Sequence, residues 1–576
     1  MAESNTPTTN TESLITEHLD IWTTAIEQKS SAGRGSSKKF SLHGIKKLRE
    51  LILELAVRGK LVPQDPNDEP ASVLLERIAA EKAQLIKDKK IKKPKVLPEI
   101  SEHERPIELP KGWSVARLGE MFHIVYGKGL SNSELTESGY EVFGANGIIG
   151  YYSEYKYEKE QLLVSCRGAY SGKPNISPSH CFVTSNSLVL ENTWQLISLK
   201  YFFYSLAIAD KKDIVTGSAQ PQVTTTNLEP FTVLIPPYEE QQRIVAKVDE
   251  LMDLCDKLEA QTENSIAAHQ TLVEVLLEAL LKAPEQTATP EQASAQFQQN
   301  WQRLSEHFDT LFTTTASINT LKQTILQLAV MGKLVPQNPN DEPAAKLLER
   351  IAAEKAQLTK DKKIKKQKPL PEITEEEKPF ELPSGWEWCR LPDLGELARG
   401  KSKHRPRNDP KLYKNGTIPL VQTGDVARSV EVIETYTAMY NEVGLAQSQL
   451  WPKGTLCITI AANIADTGIL GFDACFPDSV VGYTCFEDQI PTKYFDYFIR
   501  TAKANLEKFA PSTAQKNINL EILSQVLVPC PPLEEFERVV NKVDELLTLC
   551  DQLKARLTDA QTTKLHLTDA IVEQAV

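Results

Sequence analysis

The chain has 576 residues, 25% of them charged and 41% apolar, which is too long for one hydrophobic core, so two to four domains are expected. A formal net charge of −12 excludes a uniformly basic nucleic-acid binder but leaves room for local basic patches or a field supplied by partners. Nine scattered cysteines without a CxxC pair speak against a zinc knuckle or a disulfide framework. With no signal-peptide pattern and no apolar run near the ~18 residues of a membrane helix, a cytoplasmic protein without membrane contact is expected.

In chain order, the first half opens on Glu17-His18-Leu19-Asp20, echoed by Glu306-His307-Phe308-Asp309 in the second. The first copy carries an extra stretch around Ser30 to His43, read as a flexible loop. A helix with apolar positions Leu48, Leu51, Ile52 and Leu55 then ends at Gly59; its twin, with Leu321, Ile325 and Leu328, ends at Gly332. Both glycines suit a C-terminal helix cap. Pro-rich turns follow, then amphipathic helices from Leu74 and Leu347 that run into the lysine-rich stretches Lys87 to Lys95 and Lys360 to Lys368. From Leu48 to Lys87 and from Leu321 to Lys360, about three quarters of the positions are identical in constant register. A repeat of this kind is the first thing to explain.

After Leu109-Pro110-Lys111-Gly112-Trp113 and Leu382-Pro383-Ser384-Gly385-Trp386 the two copies stop resembling each other. Short β-branched and aromatic runs, such as Leu162 to Ser165 and Leu456 to Ile460, alternate with Gly and Asn turns and predict mixed α/β domains. Each domain closes on a Pro-Pro and enters a long helix. The first places Ile244, Val248, Leu251, Cys255 and Leu258 at alternating steps of four and three, and the second repeats this with Val539, Val543, Leu546, Cys550 and Leu553. Such a seam favours coiled-coil packing, the alternative being an amphipathic helix lying on its own domain. The chain thus divides into an N-terminal helical region (1–108), a first variable domain (109–236), a central helical region (237–378, with a linker near 283–296), a second variable domain (379–531) and a C-terminal helix (532–576).

One pattern looks like chemistry. Gly395 to Ser402 satisfies GxxxxGK[ST], the phosphate-binding loop, which needs a buried strand before it and a helix starting at the lysine. Arg390-Leu391-Pro392-Asp393 makes a poor strand, Pro406 interrupts the helix, and Gly395 falls opposite Phe122 in the repeat, so a simple loop is expected. No dinucleotide fingerprint, methyltransferase quartet or metal-ligand spacing occurs, and no metal site is expected. The loop is nevertheless basic: Arg399, Lys401, Lys403, His404, Arg405 and Arg407 suit contacts to phosphates or guanine edges.

The frame blocks AVRGKLVPQDPNDEP, LPKGW and IPPYEEQQRIVAKVDEL, their second copies, and the Gly217 to Gln220 and Ser512 to Gln515 elements resemble the specificity subunit of type I restriction–modification enzymes, most closely the type IB branch. The resemblance implies an α+β fold. Two mixed α/β target recognition domains would be joined by long conserved helices forming an antiparallel coiled coil with an internal pseudo-twofold repeat. Each domain would read one half of an asymmetric bipartite site in double-stranded DNA. It further implies two modification subunits using S-adenosylmethionine to methylate adenine, and two restriction subunits using ATP and Mg²⁺. This chain would then be non-catalytic and hold no cofactor itself. Candidate DNA contacts are Lys128, Ser131, Asn132, Asn146, Arg167 and Gln220 in the first domain. In the second they are Lys401, Lys403, Arg405, Arg407, Gln422, Asn463 and Gln515. Two other readings stay open: an assembly scaffold that binds proteins rather than DNA, and a nuclease or ATPase using the P-loop-like segment.

Overall fold

The duplicated helices end as their glycines require. In the computed structural model, helix α1 (His43–Val57) buries Leu48, Leu51, Ile52 and Leu55 on one face. Gly59 beyond it is left-handed, at φ 69°. The Gly59 N–H meets the Ala56 carbonyl at 3.4 Å and the Lys60 N–H meets that of Leu55 at 2.9 Å, the paired bonds of a Schellman cap. The structure describes residues 11–28, 40–91, 96–105, 108–192, 196–217, 220–282, 290–362, 364, 369–461, 464–508 and 518–576. Most of the extra loop of the first copy (30–39), the first half of the central linker (283–289) and the lysine-rich residues 92–95, 363 and 365–368 lie outside these residues; the second half of the expected linker is instead the start of a helix, Pro290–Glu306. Contacts divide the chain into unit 1, residues 1–265 with 560–576, and unit 2, residues 266–559.

In unit 1, α1 is followed by α2 (Ala71–Lys87) and then by the first variable domain. Ser114–Arg117 pairs antiparallel with Thr232–Ile235, so the start and end of the domain form one ribbon. Inside it, an antiparallel sheet runs in the order His123–Tyr126, Ser187–Glu191, Leu162–Ser165, Pro174–Ile176. A second sheet sets Tyr140–Phe143 between Ile148–Tyr152, antiparallel, and Phe182–Val183, parallel. Phe143, Leu163, Val183 and Val189 form a common core, which explains why the central strands read as unbroken apolar runs. Helix α3 (Leu199–Ile208) covers the other side, and α4 (Tyr238–Leu281) leaves the domain.

Unit 2 repeats the plan with α5 (Thr315–Val330), whose cap glycine Gly332 has φ 68°, and α6 (Ala344–Lys360). The ribbon is Glu387–Arg390 with Leu527–Cys530. The main sheet runs Gly395–Arg399, Val480–Cys485, Leu456–Thr459, Thr467–Leu470, with Val432–Ile433 added at its edge. Ile418–Leu420 again pairs parallel with Ala474–Cys475. Helix α7 (Thr492–Lys508) replaces α3, and α8 (Leu533–Ala575) is the second long helix. The variable domains, unlike in sequence, therefore share one strand order.

The repeated frame residues make one hydrogen-bonded lock in each unit. Trp113 Nε1 donates to Glu240 Oε2 at 2.9 Å, Gln64 Nε2 to Glu240 Oε1 at 3.3 Å, and Arg243 pairs with Asp68. In unit 2, Trp386 Nε1 donates to Glu535 Oε2 at 3.0 Å, Gln337 Nε2 to Glu535 Oε1 at 2.8 Å, and Arg538 pairs with Asp341. Buried Arg117 ties the Pro98, Glu99 and Pro230 carbonyls together, and Arg390 does the same with those of Pro371 and Gln525. The lock fixes where each long helix leaves its domain.

The seam residues pack within their own units over the first turns of each long helix, so along that stretch the helix lies on its own domain, the alternative to a coiled-coil seam. In unit 2, Val539, Val543 and Cys550 share a core with Leu321 and Ile325 of α5 and Tyr494 and Phe495 of α7, with Leu546 and Leu553 packed at its margin. In unit 1, Ile244, Val248, Leu251 and Cys255 are buried and Leu258 half-buried. There Asp249 accepts from Lys200 and Tyr204 of α3, while Arg49 of α1 pairs with Asp256 and Glu259. Farther along, residues 266–281 of α4 belong to unit 2, where Val273, Leu277 and Leu280 pack with Leu304, Leu311 and Phe312. Residues 560–576 of α8 belong to unit 1, where Asp569 meets His43 at 3.2 Å and Gln561 Nε2 donates to the Thr24 carbonyl at 3.1 Å.

Candidate nucleic-acid interface

In each variable domain, loops from both sheets converge at one sheet end. In the first, Gly127 follows the strand His123–Tyr126 and its N–H donates to Ser187 O at 3.0 Å; the Lys128 N–H donates to Val183 O at 2.9 Å. The hairpin turn carrying Asn146 closes with Gly144 N–H on Gly147 O at 2.8 Å. That turn is held at both shoulders: Ser187 Oγ donates to Gly144 O at 2.8 Å and Ser165 Oγ to Ala145 O. Beyond Ser165, the Cys166 N–H reaches Asn186 O at 2.9 Å, and Arg167 bridges to Gln222 near Gln220. Lys128, Asn146, Arg167 and Gln220 thus lie on loops tied to one another, Asn146 half-buried and the other three exposed.

Ser131 and Asn132 come to the outer edge of the same hairpin, because the Thr136 N–H donates to Tyr151 O at 2.9 Å. Ser131 is engaged locally: its N–H and Oγ both donate to Glu134 Oε2 at 2.7 Å and hold that carboxyl below the usual range. Asn132 stays exposed. A contribution missed in the sequence comes from the next loop, where Tyr170 is 52% exposed and Lys173 Nζ lies 5.8 Å from its ring centre. That pair offers a cation and an aromatic face together.

The second domain folds its basic loop around one carboxylate. Arg407 pairs with Asp478 Oδ1 at 2.6 Å, Arg405 approaches Oδ2 at 4.0 Å, and Arg399 Nε donates to the Asp478 carbonyl. His404 meets Asp409 at 2.8 Å, and the Lys411 N–H together with His404 holds Asp409 below the usual carboxylate range. Lys401 and Lys403 are exposed, and among the described residues neither ammonium has a carboxylate partner. Gln422 is exposed just beyond the parallel strand, capping the short helix Thr423–Arg428, the place that the Asn146 turn takes in the first domain. Asn463 and Gln515 lie outside the described residues, as do Ser218 and Ala219.

The P-loop-like segment is built otherwise than phosphate binding requires. Gly395–Arg399 is itself a strand, and the first helical turn after Lys401 is Pro410–Leu412. Among the described residues no group of His, Cys, Asp or Glu could hold a metal ion, and no helix is long and apolar enough to cross a membrane.

The family model described as type I restriction modification DNA specificity domain matches residues 110–268 and 383–560, one match on each variable domain with the start of its long helix. The chain belongs to this family. It is 40% identical to the EcoAI specificity subunit of Escherichia coli and 39% identical to the EcoEI specificity subunit of the same species, each over 98% of this chain and 99% of the relative. Solved structures are more distant. The HsdS subunit from Thermoanaerobacter tengcongensis is 17% identical over 82% of this chain and 98% of that one, at a TM-score of 0.40. The S subunit from M. genitalium is 12% identical over the same share, at 0.24. As a specificity subunit, the chain supplies recognition within a type I restriction–modification system and leaves catalysis to other subunits.

Proposed function

We propose that each variable domain reads one half of an asymmetric bipartite DNA site through its loop-bearing sheet end. The observation that carries this is one strand order presenting unlike side chains at matching places: Ser131 and Asn132 against Arg405 and Arg407 in the loops after the first strand of the main sheet, and Asn146 against Gln422 beyond the parallel-paired strand. Unlike readers on a common scaffold call for unlike half-sites. The two long helices pair antiparallel in a coiled coil under a pseudo-twofold axis and set a spacer that is not read. Each unit's inclusion of the far end of the opposite long helix supports that arrangement. A 44-residue helix is roughly 65 Å long, ample for half-sites one turn of DNA, about 34–36 Å, apart.

The duplicated frames dock two modification subunits, which bind S-adenosylmethionine and methylate an adenine in each half-site after flipping it from the stack. Two restriction subunits use ATP and Mg²⁺ to translocate and cut. The complex works in the cytoplasm, and the branch is type IB. Exchange of residues 109–236 for the corresponding domain of another family member tests the division of labour. Sequencing of methylated adenines should then show one half-site changed and the other kept; a change in both would sink the modular reading.

A further inference from the structure

Within the variable domains, a Gly-Lys pair recurs at one place of the main sheet in both copies. Leu188 lies opposite Tyr126 in the first sheet, and Val481 lies opposite Arg399 in the second. On that register Gly127-Lys128 and Gly400-Lys401 occupy one place. The backbone bonds agree: Gly127 N–H donates to Ser187 O at 3.0 Å, and Gly400 N–H to Val480 O at 2.9 Å. Both glycines are enforced by close approach. A Cβ at Gly127 would sit 2.1 Å from the Thr184 carbonyl oxygen, and one at Gly400 would sit 2.4 Å from that of Pro477, backbone atoms that cannot swing aside. The lysine that follows is therefore launched from the same pinned point in each domain, and both lysines are exposed.

We propose that Lys128 and Lys401 are sequence-independent anchors, each placing its ammonium on a backbone phosphate at the same position of its half-site. This rests on the reading of the two domains as DNA-binding. A residue shared by domains that read different bases cannot carry the difference, whereas a phosphate is the same at every base pair. Lysine chemistry suits such a contact, because an ammonium is a compact point charge without the planar fork that reads guanine edges bidentately. The positions around it do differ, with Tyr126 against Arg399 before the pair and Gly129 against Ser402 after it. Lys401 also stands apart from Arg399, Arg405 and Arg407, which Asp478 already holds.

The test uses the chain assembled with its modification subunit, bound to its own bipartite duplex and to an unrelated duplex across roughly 50–200 mM salt. Lys128→Ala and Lys401→Ala should each weaken both complexes by the same factor, roughly three- to tenfold, and lower the slope of log affinity against log salt by about 0.9. Lys128→Arg and Lys401→Arg should restore the slope. The preference for the bipartite duplex should stay constant in all four variants and fall in Arg167→Ala. A changed preference in the lysine variants would make them base readers, and an unchanged slope would take them off the phosphates; either result overturns the proposal. An unsubstituted complex with no preference for any bipartite duplex would instead remove the reading on which the anchors rest.

Discussion

A carboxylate buried beneath its own domain must find its donors in the protein, and Glu240 and Glu535 find the same ones. Burial raises both above the usual carboxylate value, against the pull of the Trp113 and Gln64 donors in one unit and those of Trp386 and Gln337 in the other. A raised folded pKa contributes stability that is present below the unfolded value of 4.5 and is lost as pH rises through the folded one. Glu240→Gln keeps an acceptor for Trp113 and cannot ionise. It should flatten the fall in stability from pH 4.5 towards neutrality, measured as urea midpoints across that range; a parental slope would show that Glu240 does not titrate there. Glu104 works in the opposite sense. Hydrogen bonds from Arg117 and Ser101 lower it to about 2, so its contribution is present above 4.5 and lost as pH falls towards 2. In the candidate interface, Asp478 spaces two arginines that would otherwise move freely. Asp478→Ala should strengthen binding to unrelated duplexes, since a negative charge is lost, while reducing the preference for the bipartite one several-fold. A competition assay with both duplexes decides, and an unaltered preference would make the carboxylate irrelevant to reading.

The elements that the repeat announced are those whose bonds are local. The glycine caps, the amphipathic helices and the exit of the long helices could be read from spacing, because their partners lie within a turn or recur in the second copy. Gly59 also shows what spacing leaves out: a Cβ there would meet Pro110 Cγ at 2.6 Å, so the glycine serves the packing of the LPKGW block as well as the left-handed cap. Gly59→Ala should cost roughly 2 kcal/mol or more. Gly59→Asn, which relieves backbone strain alone, should recover little of it. Full recovery in thermal unfolding would show that the cap conformation is the whole requirement. The common strand order of the variable domains was not legible, because strands far apart in sequence pair in registers that no local pattern fixes. One signal was present and passed over. Lys200-Tyr201-Phe202-Phe203-Tyr204 recurs as Lys493-Tyr494-Phe495-Asp496-Tyr497. Tyr201 and Tyr494 each donate to a carbonyl of the closing ribbon, Leu234 and Pro529, and Tyr204 and Tyr497 each reach an aspartate of the long helix. The four shared residues place α3 and α7 alike. The reading loops were legible only as polar stretches near glycines, since which loops meet depends on the sheets beneath them.

At the scale of the whole molecule, the division between frame and loops predicts which changes are separable. A heptad inserted in α4 and another in α8, beyond the turns that pack on α3 and α7, should lengthen the unread spacer and leave both half-sites unchanged. Mapping of methylated adenines measures this; altered bases would mean that the helices take part in reading. The composition of the units has a consequence for synthesis as well. Unit 1 contains the beginning of the chain and residues 560–576, which are made after everything else described. The contacts of Asp569 with His43, and of Gln561 with Thr24, cannot form until the second variable domain has already been translated. Of the two units, the one that starts earlier in the chain is completed only after the other's variable domain has been made.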